Sequence, residues 1–457
     1  MAARYSLALR TCIGALAFAA AAQAQEPPPP PPTVPELPGA GRPVAIATHR
    51  ARRDRLLERI GRGVIVVPAA TPRDLEGDVL QDNDFRQDDY FFYLTGLETP
   101  DAWLILAANG RTNTATLLLP ERNPGAERWT GLRLGPGEAA VRLSGVADVR
   151  AFHPDSLEFA VGRAVRRGGG PLFLPLYHGT TGNTRISDWT MGGQDVRNIV
   201  PALDSMRVVK DSAEIAALRR AIWITTEAHR AALRTTRPEM YEYQLEAVIE
   251  YTFRNLGADR LGFPSIVGSG PNSTTLHYDV NRRSMQAGDL VVIDIGAEYG
   301  QYTADVTRTI PVSGSFTPRQ KALYDLVLDT QRAAIDAVRP GITVRELTDV
   351  ARRYMREHSA DLCPGGDCTR YFVHGLSHWL GLRVHDVGDY RMPLEPGMVL
   401  TIEPGIYIVE EELGIRIEDD ILVTATGAEV LSAHAPRTTS EIEAMMRAGR
   451  EKTSTGR

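Results

Sequence analysis

Two pairs of carboxylates sit at corresponding places in two stretches of this chain. In LVVIDIGAEYGQYTADVTRTIPV, residues 290–312, Asp294 closes an apolar run and Asp305 opens the return run. β-Branched residues on both sides of Glu298-Tyr299-Gly300-Gln301, with Gly300 as the permissive backbone, predict a hairpin. With the turn centred between Tyr299 and Gly300, Asp294 falls opposite Asp305, their Cβ atoms roughly 5 Å apart. Facing carboxylates repel unless they share a proton or hold a cation between them. The alternative is a one-residue bulge that sends Asp305 to solvent. TIEPGIYIVEEELGIRIEDDILV, residues 401–423, repeats the arrangement with Glu403 and Glu418 on either side of an acidic turn. Glu410, Glu411 and Glu412 in that turn read as a solvated charge run. Arg416, two residues before Glu418, points to the same sheet face, where it can orient a carboxylate or form a plain cross-strand ion pair.

Between these stretches YFVHGLSHWLGLRVHDVGDY, residues 371–390, carries His374, His378 and His385. An H-x-x-x-H spacing serves a helical metal pair, but Gly375 and Gly381 oppose a regular helix, so spacing alone supports one histidine ligand. Taken singly, each histidine is a packed residue. Beside four carboxylates, the ligand reading gains the upper hand.

The elements that must position these groups are legible as alternating helices and strand pairs. From 50 to 199, short apolar runs at 63–67, 102–107 and 115–119 alternate with helical stretches and predict a mixed α/β domain. A linker is expected around 201–209, then a helix capped by Asp211 or Ser212 with Glu214 in its first turn. Further helices are expected at 240–256, 317–338 and 344–358. Because the later strands come as hairpins, they predict a curved antiparallel sheet backed by helices.

The 457 residues carry a net charge of -6, which calls for neither nucleic acid nor an anionic membrane as partner. Arg4 and Arg10 precede the apolar run 11–22, and Ala22-Gln23-Ala24 offers a signal-peptidase site. Residues 1–24 therefore read as an export signal, with periplasmic or secreted destination and no stable membrane insertion after cleavage; Cys12 lies away from the cleavage point. The proline-rich segment 25–45 reads as an extended spacer. In an oxidising compartment, Cys363 and Cys368 of CPGGDC form either a small disulfide loop or two free thiols; a second cysteine pair for zinc is missing.

Taken together, these residues resemble the metallopeptidases of the pita-bread fold, and within them the Xaa-Pro aminopeptidases and prolidases. HGLSHWLGLRVHD is the most specific stretch, supported by EPGIYI, GIRIEDD and the order Asp, Asp, His, Glu, Glu. The resemblance implies an α+β chain: a non-catalytic α/β domain at 46–200, a pita-bread domain at 207–445 and a flexible tail at 446–457. It implies metal ligands Asp294, Asp305, His378, Glu403 and Glu418 for two divalent ions, with Mn2+ favoured and Co2+ or Zn2+ as alternatives. Oxygen-rich ligation suits hard ions and so also favours manganese. A hydroxide bridging the ions would attack the bond before proline, with Glu403 relaying a proton and His385 and His277 at the substrate carbonyl. His374, Tyr407 and Arg416 are implied around the substrate and ligands.

The expected substrates are peptides with proline second, cleaved by an aminopeptidase, or an Xaa-Pro dipeptidase as the alternative. A methionine aminopeptidase, a metal-free enzyme or a peptide-binding scaffold on the same fold are rivals, and the complete ligand set argues against the last two. The resemblance also implies a homodimer or homotetramer. FRQDDYFFYLTGLETPDA, residues 85–102, is similar to the domain preceding the peptidase domain. There Phe92 is either an aromatic reaching a neighbouring subunit's site or a core residue.

Overall fold

The computed structural model of this chain describes residues 44–72, 85–177, 184–192 and 194–455. The export signal and nearly all of the proline-rich spacer lie outside the described residues. No helix among the described residues is long and apolar enough to cross a membrane.

The N-terminal part is built on six strands: β1 (Arg62–Pro68), β2 (Trp103–Asn109), β3 (Asn113–Leu119), β4 (Asp148–Ala151), β5 (Leu172–Leu174) and β6 (Val196–Asn198). They lie in the order β4-β3-β2-β1-β5-β6, with β1, β2 and β3 antiparallel and β4, β5 and β6 joining in parallel. This is the mixed sheet the short apolar runs predict. Phe92 lies in the short helix Asp89–Thr95, is buried in the core with Leu56, Ile65 and Leu104, and meets His49 edge-on. It is a core residue and does not reach outward.

The expected linker at 201–209 is instead mostly the helix Val200–Arg207. Pro201 sits in its first turn, where a missing N–H leaves no bond unmade. Asp211 then caps the helix Ser212–Thr235, accepting from Ala213 N and Glu214 N, while Glu214 returns a bond to Asp211 N. The last helix, Thr439–Thr455, runs through most of the stretch expected as a tail and buries Met446.

The C-terminal part consists of β7 (Arg260–Leu261), β8 (Ile266–Ser269), β9 (Leu290–Ile295), β10 (Ala297–Tyr299), β11 (Tyr302–Thr303), β12 (Val306–Pro311), β13 (Val399–Ile402), β14 (Gly405–Ile408), β15 (Leu413–Arg416), β16 (Asp419–Val423) and β17 (Ala428–Val430). All pairings among them are antiparallel. Helices 242–255, 318–337 and 344–358 form close to where the periodicity predicts them. Cys363 and Cys368 are bonded to each other.

One register differs from expectation. Tyr299 pairs with Tyr302, so the hairpin turns on Gly300 and Gln301, both at positive φ (57° and 65°). This is the two-residue geometry whose twist matches the flanking strands. Asp294 therefore faces Thr307, and Asp305 lies two places along. A shift of two preserves side-chain parity, so both aspartates remain on one face as diagonal neighbours. The second hairpin keeps one register through both ladder segments, Ile402 opposite Asp419 and Gly405 opposite Arg416, which sets Glu403 level with Glu418.

Candidate metal centre

Alternation along two strands sorts the side chains by role. On and before β12, Asp305, Thr307 and Thr309 share a face, while Arg308 points the other way. On the returning strand, Arg416, Glu418 and Asp420 share a face, and Asp419 points away with Arg308, pairing with it at 2.7 Å where both are fully buried. Glu418 N donates to Thr307 O, Arg416 N to Thr309 Oγ1, and Thr307 Oγ1 to Glu418 Oε2 at 2.7 Å. The two hairpins are thus joined where their carboxylates meet.

All of the candidate residues except Tyr407 line one cavity of about 720 Å3: Asp294, Asp305, His277, His374, His378, His385, Glu403, Arg416 and Glu418. Ligand atoms of Asp305, His378 and Glu418 lie within 4.8 Å of one another. His378 Nε2 is 3.2 Å from Asp305 Oδ2, 3.6 Å from Glu403 Oε1 and 3.7 Å from Glu418 Oε1. Its Nδ1 faces the Trp379 carbonyl at 3.2 Å, which directs the Nδ1 proton there and turns the Nε2 lone pair toward the carboxylates. Asp294 stands apart from this trio: its Oδ2 accepts from Arg416 Nη2 at 2.6 Å.

From Arg416 a chain of bonds continues. Nη1 donates to the Tyr407 hydroxyl at 2.9 Å, and that hydroxyl meets His374 Nε2 at 2.8 Å. His374 Nδ1 points at the Gly375 carbonyl at 2.7 Å and lies 3.7 Å from Glu403 Oε2. Tyr407 is buried behind the cavity wall and reaches the site through these partners. His277 and His385 are exposed at the mouth; the His385 ring stands edge-on to His378 at 4.4 Å and 6.5 Å from His277. Glu410, Glu411 and Glu412 are exposed in the turn, as the charge-run reading expects.

The electrostatics call for positive charge. Burial, then the charges of Glu418 and Asp294, raise the Asp305 carboxyl well above the usual carboxylate range. Burial and Glu418 push Glu403 up to about 8. Burial works against a charge on His378, but Asp305, Glu418 and Glu403 outweigh it and hold the imidazole well above its ordinary value. Burial and Arg416 lower His374 to about 4, so it is neutral near pH 7. Asp294 Oδ1, Asp305 Oδ1 and Glu418 Oε1 are all buried without a hydrogen-bond partner among the described residues. Carboxylate oxygens desolvated in this way are costly unless a cation meets them, so the donor set fits divalent metal.

Three contributors were not singled out from the sequence. Asp420 Oδ2 accepts from Asp305 N at 3.2 Å, Thr307 holds Glu418, and Thr401 Oγ1 bonds His378 N at 3.1 Å. Asp420 and Thr307 each lie two residues beyond a named carboxylate, and Thr401 two before one, so period-two alternation was the available signal.

Carboxylates from two antiparallel hairpins and one imidazole, gathered around a cavity, form a candidate carboxylate-rich metal centre. Residues 216–425 match the metallopeptidase family M24, and residues 49–163 match the aminopeptidase P N-terminal domain. The chain is 37% identical to an Xaa-Pro aminopeptidase of Escherichia coli, covering 88% of this chain and 98% of that one. It is 36% identical to an Xaa-Pro aminopeptidase of Haemophilus influenzae, covering 79% and 88%. Among solved structures, zinc-substituted E. coli aminopeptidase P in complex with product superposes with a TM-score of 0.81 at 36% identity, covering 89% and 99%. Proline aminopeptidase P II of Yersinia pestis gives 0.81 at 36%, covering 89% and 100%. The chain belongs to metallopeptidase family M24, with the pita-bread fold of aminopeptidase P, and that membership implies divalent metal ions.

Proposed function

We propose that this protein is an Xaa-Pro aminopeptidase that removes the first residue from peptides carrying proline second. The convergence of Asp305, His378 and Glu418, with buried oxygens that have no hydrogen-bond partner among the described residues, is the observation that carries this reading. Asp294, Asp305, His378, Glu403 and Glu418 would hold two divalent ions; the oxygen-rich set favours Mn2+ over Co2+ or Zn2+. When bound, such ions supply Lewis-acid chemistry: they polarise the scissile carbonyl and make a water molecule nucleophilic near neutral pH.

Around that chemistry, Glu403 takes the proton released by the attacking water and delivers it to the proline nitrogen as the bond breaks. His385 and His277, at the mouth, donate to the substrate carbonyl oxygen and flank the proline ring. The neutral His374 forms the wall beside Glu403. Arg416 and Tyr407 fix the orientation of Asp294 and His374 through the bonds described above.

In this reading 46–200 is a non-catalytic domain and 207–445 the peptidase domain. The signal at 1–24 sends the chain out of the cytoplasm, which N-terminal sequencing of the exported protein tests, and the mature chain assembles as a homodimer or homotetramer, which light scattering tests. The decisive assay compares an Xaa-Pro-Xaa tripeptide with the Xaa-Pro dipeptide on manganese-loaded protein. Preferential cleavage of the tripeptide supports the aminopeptidase; strong preference for the dipeptide overturns it in favour of a dipeptidase.

A further inference from the structure

His385 projects into the cavity from loop 381–388, yet its ring forms no hydrogen bond among the described residues; it only meets His378 and His277 ring to ring. An exposed imidazole without a partner is placed by its backbone. The backbone here is gripped from behind by buried charge. Asp386, the next residue, pairs with Arg207 Nη2 at 2.5 Å and with Lys210 Nζ at 3.4 Å. On the other side of His385, Arg383 pairs with Asp89, and Arg86 donates to the Leu382 carbonyl. Asp89 closes the circuit, 2.7 Å from Arg86 Nη1 and 3.6 Å from Arg207 Nη2. Asp386 N also bonds the carbonyl of Trp379, the residue after His378.

The side chains of Asp89, Arg207, Lys210 and Asp386 are all 1% exposed or less. Taking that many charges out of water is costly, and well-packed apolar side chains in such a place are often at least as stable. A network of this kind is useful where one geometry must be held. Its members come from segment 86–89, before the peptidase match, and from 207–210, the junction ahead of helix 212–235. They converge on the five residues that carry His385.

We infer that the Arg86, Asp89, Arg207, Lys210, Arg383 and Asp386 network is a positioning device for His385, coupling the N-terminal part of the chain to the substrate carbonyl. The inference rests on the proposed role of His385 in catalysis. Arg383 is half exposed, so Arg383→Ala removes one arm without leaving a cavity; Arg207→Met cuts the buried arm. Each variant, as full chain, is compared with wild type by amide exchange without metal and by tripeptide cleavage with manganese.

Arg383→Ala should speed exchange across 381–388 while β9 and β12 keep theirs, and should lower kcat by about tenfold with KM and metal content unchanged. In a His385→Ala background the same substitution should cost nothing further, because both act through one group. Unchanged exchange in the loop, or losses that multiply in the double variant, would overturn the inference. Arg207→Met carries the same readouts more strongly. A wild type that fails to cleave the tripeptide overturns the proposed function separately, and the exchange arm still decides whether the network holds the loop.

Discussion

Arg308 is the residue whose loss should be felt most widely. It is fully buried and pairs with the equally buried Asp419 at 2.7 Å. Its Nε donates to Pro436 O at 2.9 Å, and its Nη1 to Thr307 O at 2.9 Å and Glu418 O at 2.6 Å. One guanidinium therefore ties the backbone beside Asp305 to the backbone of Glu418. In Arg308→Met, Asp419 keeps Ser432 Oγ at 2.6 Å, Gln331 Nε2 at 3.0 Å and the partly exposed Arg437 at 3.4 Å. Breaking a buried pair costs about 3–5 kcal/mol, and the remaining partners of Asp419 place this case near the lower end, about 3 kcal/mol. Equilibrium urea unfolding of metal-free protein, followed by far-ultraviolet circular dichroism, reads that loss. Arg308→Met combined with Asp419→Leu should recover part of it, since the stranded charge is then gone. A single variant within about 0.5 kcal/mol of wild type would refute the argument that this pair staples the two hairpins.

His229 gives a pH signature. Burial, then the Arg308 charge, lowers it to about 3, with Nε2 bonded to Val306 O at 2.8 Å. The unfolded chain takes up this proton near 6.5 and the folded chain only near 3, so stability is full above that window and falls as pH drops through it. His229→Gln keeps a donor without the titration and should flatten acid unfolding between these limits by up to about 5 kcal/mol; an unchanged profile would contradict the assignment. Tyr407→Phe should break the link from Arg416 to His374, lowering kcat about tenfold and stability by about 1–2 kcal/mol; steady-state kinetics that match wild type would count against the link. Cys363 and Cys368 are five positions apart, and replacing both by serine should cost about 2 kcal/mol in the same urea assay, a loss that reducing agent should reproduce in the wild type.

What the sequence makes legible follows from what is local. Alternation and burial put Asp294, Asp305, Glu403 and Glu418 on strand faces, and glycines rule out a helix through His374 and His378. The turn's centre, between Gly300 and Gln301 rather than between Tyr299 and Gly300, is not legible in the sequence because Gln301, not a glycine or asparagine, occupies its second left-handed position. The resulting error of two in the register left side-chain parity intact, which is why the site survived it. Helix 200–207 was hidden because Pro201 reads equally as a break or as a first turn. Long-range partners were not legible at all: Arg207 lies 179 positions from Asp386, and Arg308 lies 111 from Asp419. No local period encodes such pairs. Asp420 was within reach, two residues past Glu418 on the same face, but EDD reads as an ordinary acidic run until Asp305 N is seen to bond it.

In the proposed enzyme the buried carboxylates serve to hold catalytic metal. Chelator-stripped protein, titrated with Mn2+ while cleavage of an Xaa-Pro-Xaa tripeptide is followed, tests it directly. Cleavage should be absent without metal, rise to saturation as two equivalents bind, and not rise in Asp305→Asn. Full cleavage by the stripped wild type, or a manganese response undiminished in Asp305→Asn, would contradict it.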